Sequence, residues 1–516
     1  MGRVDRVISR ALAGAAALAL FVGAGAHAHQ QAPGASQPPT EAEIAASPAV
    51  KRLKELLEVV NSGNDAAIKA YIVANGVDVM TLQPGSGVNP LLSGTELPLI
   101  GRALDLYRRS HGLDFVRVAR VENDGAIAVV RDKITGDEQA LSVTVEPQAP
   151  HRITGMPKVP FAILLSLPRP AAGPSEQARL RQIGSSLKRL ADADAFSGAV
   201  IIARAGKPVF SKAYGYADRE RKIRNTLSTP FLIASVNKLF TGLAIGQLVE
   251  QGKLSYEDPL SKFLPDFPDR ESARKIRIKH LLSHTAGLGD YTATKAHYDS
   301  LDNMTNVQAL LDVADREPLK FEPGTDWAYS NTGFAVLGRI IEIVSGEDYY
   351  AYMKKNVFAP AAMKSASFPV LPRSGVATVP MALPYDVEYN GEQLHHANKL
   401  GVHHRRGGPT GNAVVSALDL LKAANAFRTG RIVRPETFRL HSSLKPELGA
   451  NNYGYGFARA EFGLLGHSGG TWGVCARFGE LSGTPYTLIV LSNVNMNDCV
   501  YVTVNIQRVL APDNPP

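Results

Sequence analysis

The chain has 516 residues, 45% hydrophobic and 20% charged, which at about 100–200 residues per domain predicts two to four domains and excludes a single small binding module. That balance is globular, neither disordered nor fibrous. The 56 Lys and Arg against 48 Asp and Glu leave a formal charge of +8, a thin excess without the dense basic run that a nucleic-acid partner requires.

The first 28 residues read as a secretory signal. Arg3, Arg6 and Arg10 precede an apolar run from Ala11 to Ala26, and Ala26-His27-Ala28 supplies a small-residue cleavage site. The run falls short of the roughly 20 residues that span a bilayer, and no later stretch is apolar enough to do so. The mature chain is therefore expected in the periplasm or secreted, after cleavage near Ala28 and without stable membrane insertion.

Residues 29–46 are polar and rich in Pro and Ala, as a linker would be. A small α+β domain is expected over 47–160. Leu53, Leu56, Leu57 and Val60 recur at helical spacing, and helices over 65–74 and 97–110 follow. Period-two alternation over 115–121 then turns at Asn123-Asp124-Gly125 and returns over 126–131, with further strands at 140–145 and 152–153. Helices followed by an antiparallel sheet resemble, weakly, the cone-shaped domains related to nuclear transport factor two. Nothing in this domain looks catalytic.

A Pro/Gly-rich linker over 161–175 leads to a second domain over 176–511. It opens with a helix over 176–191 and a hairpin, 198–204 with 208–213. Residues 230–426 read as mostly helical, 457–492 as strands and 500–510 as a helix. Cys475 and Cys499 are the only cysteines. They can pair once, or remain two buried small hydrophobes, the commoner outcome.

A serine is a useful nucleophile only when a neighbour accepts its proton. Ser235-Val236-Asn237-Lys238 places an amine one helical turn from a hydroxyl, and burial would lower that amine towards neutrality. The run Leu239–Val249 is apolar around nearly its whole circumference, which marks a buried helix whose first N–H groups can receive an oxyanion. Ser185/Lys188, Ser272/Lys275 and Ser442/Lys445 share the spacing, but their neighbours are those of a solvated face or a loop.

Downstream lie Tyr329-Ser330-Asn331, the sole Tyr-x-Asn in the chain, and His467-Ser468-Gly469-Gly470 entering a strand. This order resembles the serine beta-lactamase and penicillin-binding superfamily, in its class C branch. That branch includes D-alanyl-D-alanine carboxypeptidases, D-amino acid peptidases and beta-lactamase-like esterases. The resemblance covers about residues 180–510 and includes the phrases at 278–288, 322–329 and 411–420. It implies an α/β fold: an antiparallel sheet flanked by helices, with a mostly helical middle region.

The resemblance also implies roles. Ser235 attacks a carbonyl, Lys238 and Tyr329 share the base and acid work, and the N–H groups of Ser235 and Gly470 hold the oxyanion. Asn331 orients the substrate amide and the lysine. His467 contacts substrate and exchanges protons with Tyr329, and Ser468 and Gly469 line the binding strand. No metal or cofactor is required. His467 departs from the lysine of class C beta-lactamases, and a histidine is only partly charged near neutrality.

Gly466-His-Ser-Gly-Gly470 also matches a nucleophile elbow, but that fold needs a histidine after the serine and none follows His467. His395-His396 and His403-His404 fall short of a zinc site and read as a solvated loop at the mouth of the active site. His280 and His284, among leucines, read as structural histidines bonded to backbone. The expected function is a secreted serine hydrolase acting through an acyl-enzyme on a small ester or a D-amino acid amide or peptide. Beta-lactamase or D-alanyl-D-alanine carboxypeptidase is the alternative within the family, and a non-catalytic penicillin-recognising scaffold the alternative outside it. The partner is a small-molecule or peptide substrate, and the oligomeric state stays open.

Overall fold

The computed structural model describes residues 38–77, 98–157, 159, 175–314, 318–460, 463–494 and 496–510. The signal segment at 1–28 lies outside the described residues, as do residues 29–37 of the first linker and 161–174 of the second. Where the first linker is described, a short helix forms, α1 (Glu41–Ala46). Thr40 Oγ1 accepts the Glu43 N–H, while the Glu43 carboxylate accepts the Thr40 N–H at 2.7 Å, a reciprocal cap encoded by Thr-x-x-Glu.

Helix α2 (Pro48–Asn61) starts where Ser47 caps the Val50 N–H and proline occupies the first turn. Its buried stripe of Leu53, Leu56, Leu57 and Val60 joins one core with Ala126, Ala128, Val130 and Val143 of a sheet. Helices α3 (Asp65–Asn75) and α4 (Leu99–Ser110) pack into the same core. The sheet is an antiparallel meander of β1 (Leu113–Val121), β2 (Gly125–Asp132), β3 (Glu138–Val145) and β4 (Ile153–Gly155). Its first turn falls where Asn-Asp-Gly placed it, with Val121 opposite Ala126. Helix α5 (Glu176–Asp192) buries Ile183, Leu187 and Leu190.

The rest is built on a six-stranded antiparallel sheet. The hairpin β5 (Gly198–Arg204) and β6 (Lys207–Tyr214) forms one edge. The short strand β7 (Pro230–Leu232) leads to the central helix α6 (Asn237–Glu250), and α7 (Asn331–Ser345) follows. Next come β8 (Tyr385–Tyr389), β9 (Leu394–Asn398), β10 (Val414–Ser416) and α8 (Ala417–Arg428). Strands β11 (Ala458–Ala460), β12 (Leu464–Thr471), β13 (Val474–Leu481) and β14 (Tyr486–Ser492) precede the last helix, α9 (Met496–Leu510). The sheet order is β11-β12-β13-β14-β5-β6, so the two ends of the segment are stitched together where β14 pairs with β5. This is the expected α/β organisation.

Two compact units result. One holds the described residues from 38 to Phe196, with Val387–Ala397 and Asn505–Leu510; the other holds the described residues of Ser197–Asp386 and Asn398–Val504. Helices dominate the regular structure of the middle region, with two short strand pairs among them. Strand β7 pairs with β10, and β8 with β9 as a hairpin across Asn390-Gly391. His395 and His396 thus lie on a strand, not in a solvated loop, and His403 is buried with Nε2 3.0 Å from the Trp472 carbonyl.

Cys475 and Cys499 are joined as a disulfide, Cα atoms 6.0 Å apart, which corrects the expectation of two unpaired buried cysteines. Cys475 stands opposite Ser492 at the end of β14, and the short connection to α9 brings Cys499 back over it.

Candidate active site

Ser235 sits on a tight turn between β7 and α6. The Ile233 N–H donates to the Ala413 carbonyl at 3.0 Å and the Asn412 N–H to the Ala234 carbonyl at 3.1 Å, so the segment after β7 is held on the strand that β10 continues. Ala234 has φ +42°, a left-handed conformation that costs a non-glycine residue roughly 1–2 kcal/mol. Strand β12 closes the other side. A Cβ on Gly469 would lie 2.3 Å from the Ile233 carbonyl oxygen and 3.0 Å from the Ser235 nitrogen, an approach only glycine permits. The strand carrying Gly470 therefore runs directly beside the serine.

Lys238 is the second residue of α6, one turn after Ser235, and the residues of that helix from Asn237 to Leu248 are all buried. Its Nζ lies 3.2 Å from Ser235 Oγ, 2.7 Å from Asn331 Oδ1 and 2.5 Å from the Thr410 carbonyl. The rings of Tyr329 and Phe334 stand 4.8 and 5.5 Å away. Loss of hydration brings the amine down from 10.5 to about 7, against a smaller opposing pull from Asp290. Two of its three partners are carbonyl oxygens, which only accept. A neutral amine has two N–H donors and one lone pair, so those oxygens take both donors and the lone pair faces Ser235 Oγ.

Tyr329 and Asn331 flank the start of α7, where Ser330 caps the Gly333 N–H. The Tyr329 hydroxyl donates to Ser235 Oγ at 2.8 Å. Burial pushes its pKa far above the ordinary value, so it stays a phenol and a donor. His284 holds Tyr329 from both sides: its carbonyl accepts the Ala328 N–H at 3.0 Å and its Nδ1 accepts the Ser330 N–H at 3.1 Å. The two rings lie 4.3 Å apart. Asn331 turns Oδ1 to Lys238 and Nδ2 to both Asp290 oxygens, at 3.2 and 3.0 Å. Its amide is engaged within the protein.

His467 is 1% exposed. Its Nδ1 faces the Ser468 carbonyl at 2.5 Å and must donate, so Nε2 accepts from the Tyr453 hydroxyl at 2.8 Å. Burial, first, and the Lys238 charge, second, push the imidazole down to about 3, leaving it neutral. The structure thus ties His467 to Tyr453, where the sequence suggested Tyr329 and substrate. Ser468 is half-buried opposite Arg477, while Gly469 and Gly470 are buried.

The rival serines are elsewhere. Ser185 is exposed, Ser272 donates to Asp269, and Lys445 Nζ bonds Ser443 Oγ and not Ser442. His284, expected as a structural histidine, bonds the backbone on either side of Tyr329, while Asp290, Thr410 and Tyr453 complete the site and carry no signal in the sequence. No spacing relative to Ser-x-x-Lys announces them; only the phrase at 278–288, ending two residues before Asp290, pointed to that loop.

A serine flanked by a lowered amine and a phenol, beside a glycine-rich strand, is what acyl transfer to a serine requires. The family model for beta-lactamase matches residues 187–502, and the chain belongs to that family. A penicillin-binding protein of Bacillus subtilis (strain 168) is 36% identical over 191 residues, 36% of this chain and 41% of the relative. A teichoic acid D-alanine hydrolase of Staphylococcus aureus (strain MRSA252) is 32% identical over 205 residues, 38% and 49% of the two chains. This chain spans less than half the length of these curated relatives. The crystal structure of a penicillin binding protein from Bacillus halodurans matches with TM-score 0.53 and 27% identity, covering 63% of this chain and 98% of that one.

Proposed function

We propose that the protein is an exported serine hydrolase that forms an acyl-enzyme at Ser235 and acts on a small ester or a D-amino acid amide or peptide. The observation that carries this reading is the set of contacts at Lys238 Nζ, which directs the lone pair of a neutral amine at Ser235 Oγ. Ser235 Oγ attacks the substrate carbonyl carbon as its proton passes to Lys238. The oxyanion is received by the N–H groups of Ser235 and Gly470. Tyr329, a phenol on the same oxygen, hands a proton to the departing amine or alcohol and recovers one from the Lys238 ammonium. Water then cleaves the acyl-enzyme by the reverse transfers. Asn331, engaged with Lys238, acts by orienting that amine.

The neutral, buried His467 favours substrates without a carboxylate beside His467-Ser468-Gly469, and so esters and amides over penicillins. The teichoic acid D-alanine hydrolase among the relatives is in keeping with a D-alanyl acyl group. Export is supported by the signal-like segment and by the Cys475–Cys499 disulfide, a bond that reducing compartments do not maintain. No helix among the described residues is long and apolar enough to cross a membrane. Treatment with a fluorophosphonate, followed by peptide mass spectrometry, tests the reading. A mass shift is expected on Ser235, absent in Ser235→Ala and retained in Ser468→Ala, Ser185→Ala and Ser442→Ala. Labelling that persists in Ser235→Ala overturns it. The exported chain is expected to begin at His29.

A further inference from the structure

Asp290 lies in the loop before a short helical turn and does not touch Ser235. Its side chain is buried, and every partner it has is a donor. Oδ1 accepts from the Thr292 N–H at 2.9 Å, the Thr292 hydroxyl at 2.7 Å and Asn331 Nδ2 at 3.2 Å. Oδ2 accepts from the Asn331 N–H at 3.3 Å and Asn331 Nδ2 at 3.0 Å. We propose that Asp290 is the positioning residue of the acyl-transfer site: by accepting only, it fixes which end of the Asn331 amide faces Lys238. The inference rests on the acyl-enzyme reading and adds to it a residue that acts through another.

A primary amide can be turned over at little steric cost, since its oxygen and nitrogen are nearly the same size. Turned over, Asn331 would present N–H groups to Lys238. The amine would then have to point its lone pair at the amide, and Ser235 Oγ would face an N–H instead of a base. A carboxylate at 290 forbids that state, because its oxygens would meet the Asn331 oxygen with no proton between them. The carboxylate thus keeps the base aimed without contacting substrate. It also lies close enough to Lys238 to oppose the effect of burial on that amine. The other titratable groups facing Lys238 are Tyr329, held as a phenol, and His284 and His467, both held neutral by burial.

Asp290→Asn is nearly isosteric but can present either end to Asn331. The test measures hydrolysis of a nitrophenyl ester between pH 5 and 9, with fluorophosphonate labelling and thermal melting in parallel, for the native protein, Asp290→Asn and the exchanged pair Asp290→Asn/Asn331→Asp. In the single variant kcat/KM is expected to fall at least tenfold on the alkaline plateau. Its acid limb is expected to move to lower pH, since a negative charge near Lys238 is gone. The exchanged pair restores an acceptor towards Lys238 and a donor from residue 290. It is expected to recover most of the plateau, with the acid limb moved to higher pH by the closer carboxylate. A purely structural role for Asp290 predicts no such opposite movements. The inference is overturned by a single variant with native plateau and acid limb, or by an exchanged pair that melts like the native protein yet recovers nothing. Absence of Ser235 labelling in the native protein would instead overturn the acyl-enzyme reading itself, and this inference with it.

Discussion

Burial of Lys238 makes a quantitative prediction about rate. An amine with the ordinary value of 10.5 is neutral in about one molecule in 3,000 at pH 7, whereas one brought down to about 7 is neutral in about half. Desolvation therefore raises the population of usable base about a thousandfold, at most roughly 4 kcal/mol in the acylation barrier, because the same shift weakens the amine as a base. The rate of Ser235 acylation by a nitrophenyl ester should rise tenfold per pH unit up to about 7 and level off above it. That inflection belongs to Lys238, because the two imidazoles nearest it, His284 and His467, are pushed well below and Tyr329 far above. Lys238→Met keeps the reach of the side chain without the amine, and Lys238→Arg keeps a charge that cannot be shed. Both should acylate at least about a thousandfold more slowly at pH 8, without an inflection near 7. An inflection that survives in Lys238→Met, or a native rate that climbs without levelling to pH 10, would refute the assignment of the base.

Gly469→Ala places a methyl group 2.3 Å from the Ile233 carbonyl and 3.0 Å from the Ser235 nitrogen, so the strand must move off the serine. Acylation measured by active-site labelling should fall at least about a hundredfold while far-ultraviolet circular dichroism is retained. Cys475→Ser/Cys499→Ser removes a link closing 24 residues and should lower stability to denaturant by about 2–4 kcal/mol; an unchanged midpoint would mean that the bond contributes nothing. His467→Lys puts an ammonium where burial and Lys238 already push an imidazole down to about 3, so the variant should melt lower and gain no turnover of a chromogenic cephalosporin relative to a nitrophenyl ester. A cephalosporin preference of about a hundredfold in the native protein, roughly 2.7 kcal/mol, would restore the beta-lactamase reading.

The elements legible in the sequence are those whose pattern is set by one neighbouring surface. The stripe of α2, the all-round apolar α6 and the Asn-Asp-Gly turn between β1 and β2 each follow from local spacing. The hairpin β8–β9 carries an Asn390-Gly391 turn, but its strands are short and lie in a region whose pattern is mostly helical, so no alternation around the turn marks them. The disulfide was not legible, because only the pairing of β13 with β14 brings Cys475 under α9. Ser235, Lys238, Tyr329 and Asn331, which the structure brings together, are legible because helix spacing and motif order carry them. Thr410 reaches Lys238, and Asp290 reaches Asn331, only through loop closures, at sequence distances that no period describes.

His467 shows why a residue's type can be read from sequence while its direction cannot. On β12 it stands opposite Phe478 of β13, a residue of the main hydrophobic core, so strand alternation turns its ring to the core side of the sheet. There the Ser468 carbonyl fixes its tautomer and Tyr453 supplies its other partner. A cation in that position would stand near Lys238 in a dry environment, and each would drive the other towards neutrality. The histidine avoids that conflict: it leaves Lys238 as the one group facing Ser235 that can take up a proton near pH 7. A buried base with a single titration is therefore the physical consequence of a neutral imidazole at this position. A lysine there would bring two effects together, a second titrating amine near the base and a fixed charge for a substrate carboxylate, so one side chain couples the tuning of the base to the charge offered to substrate.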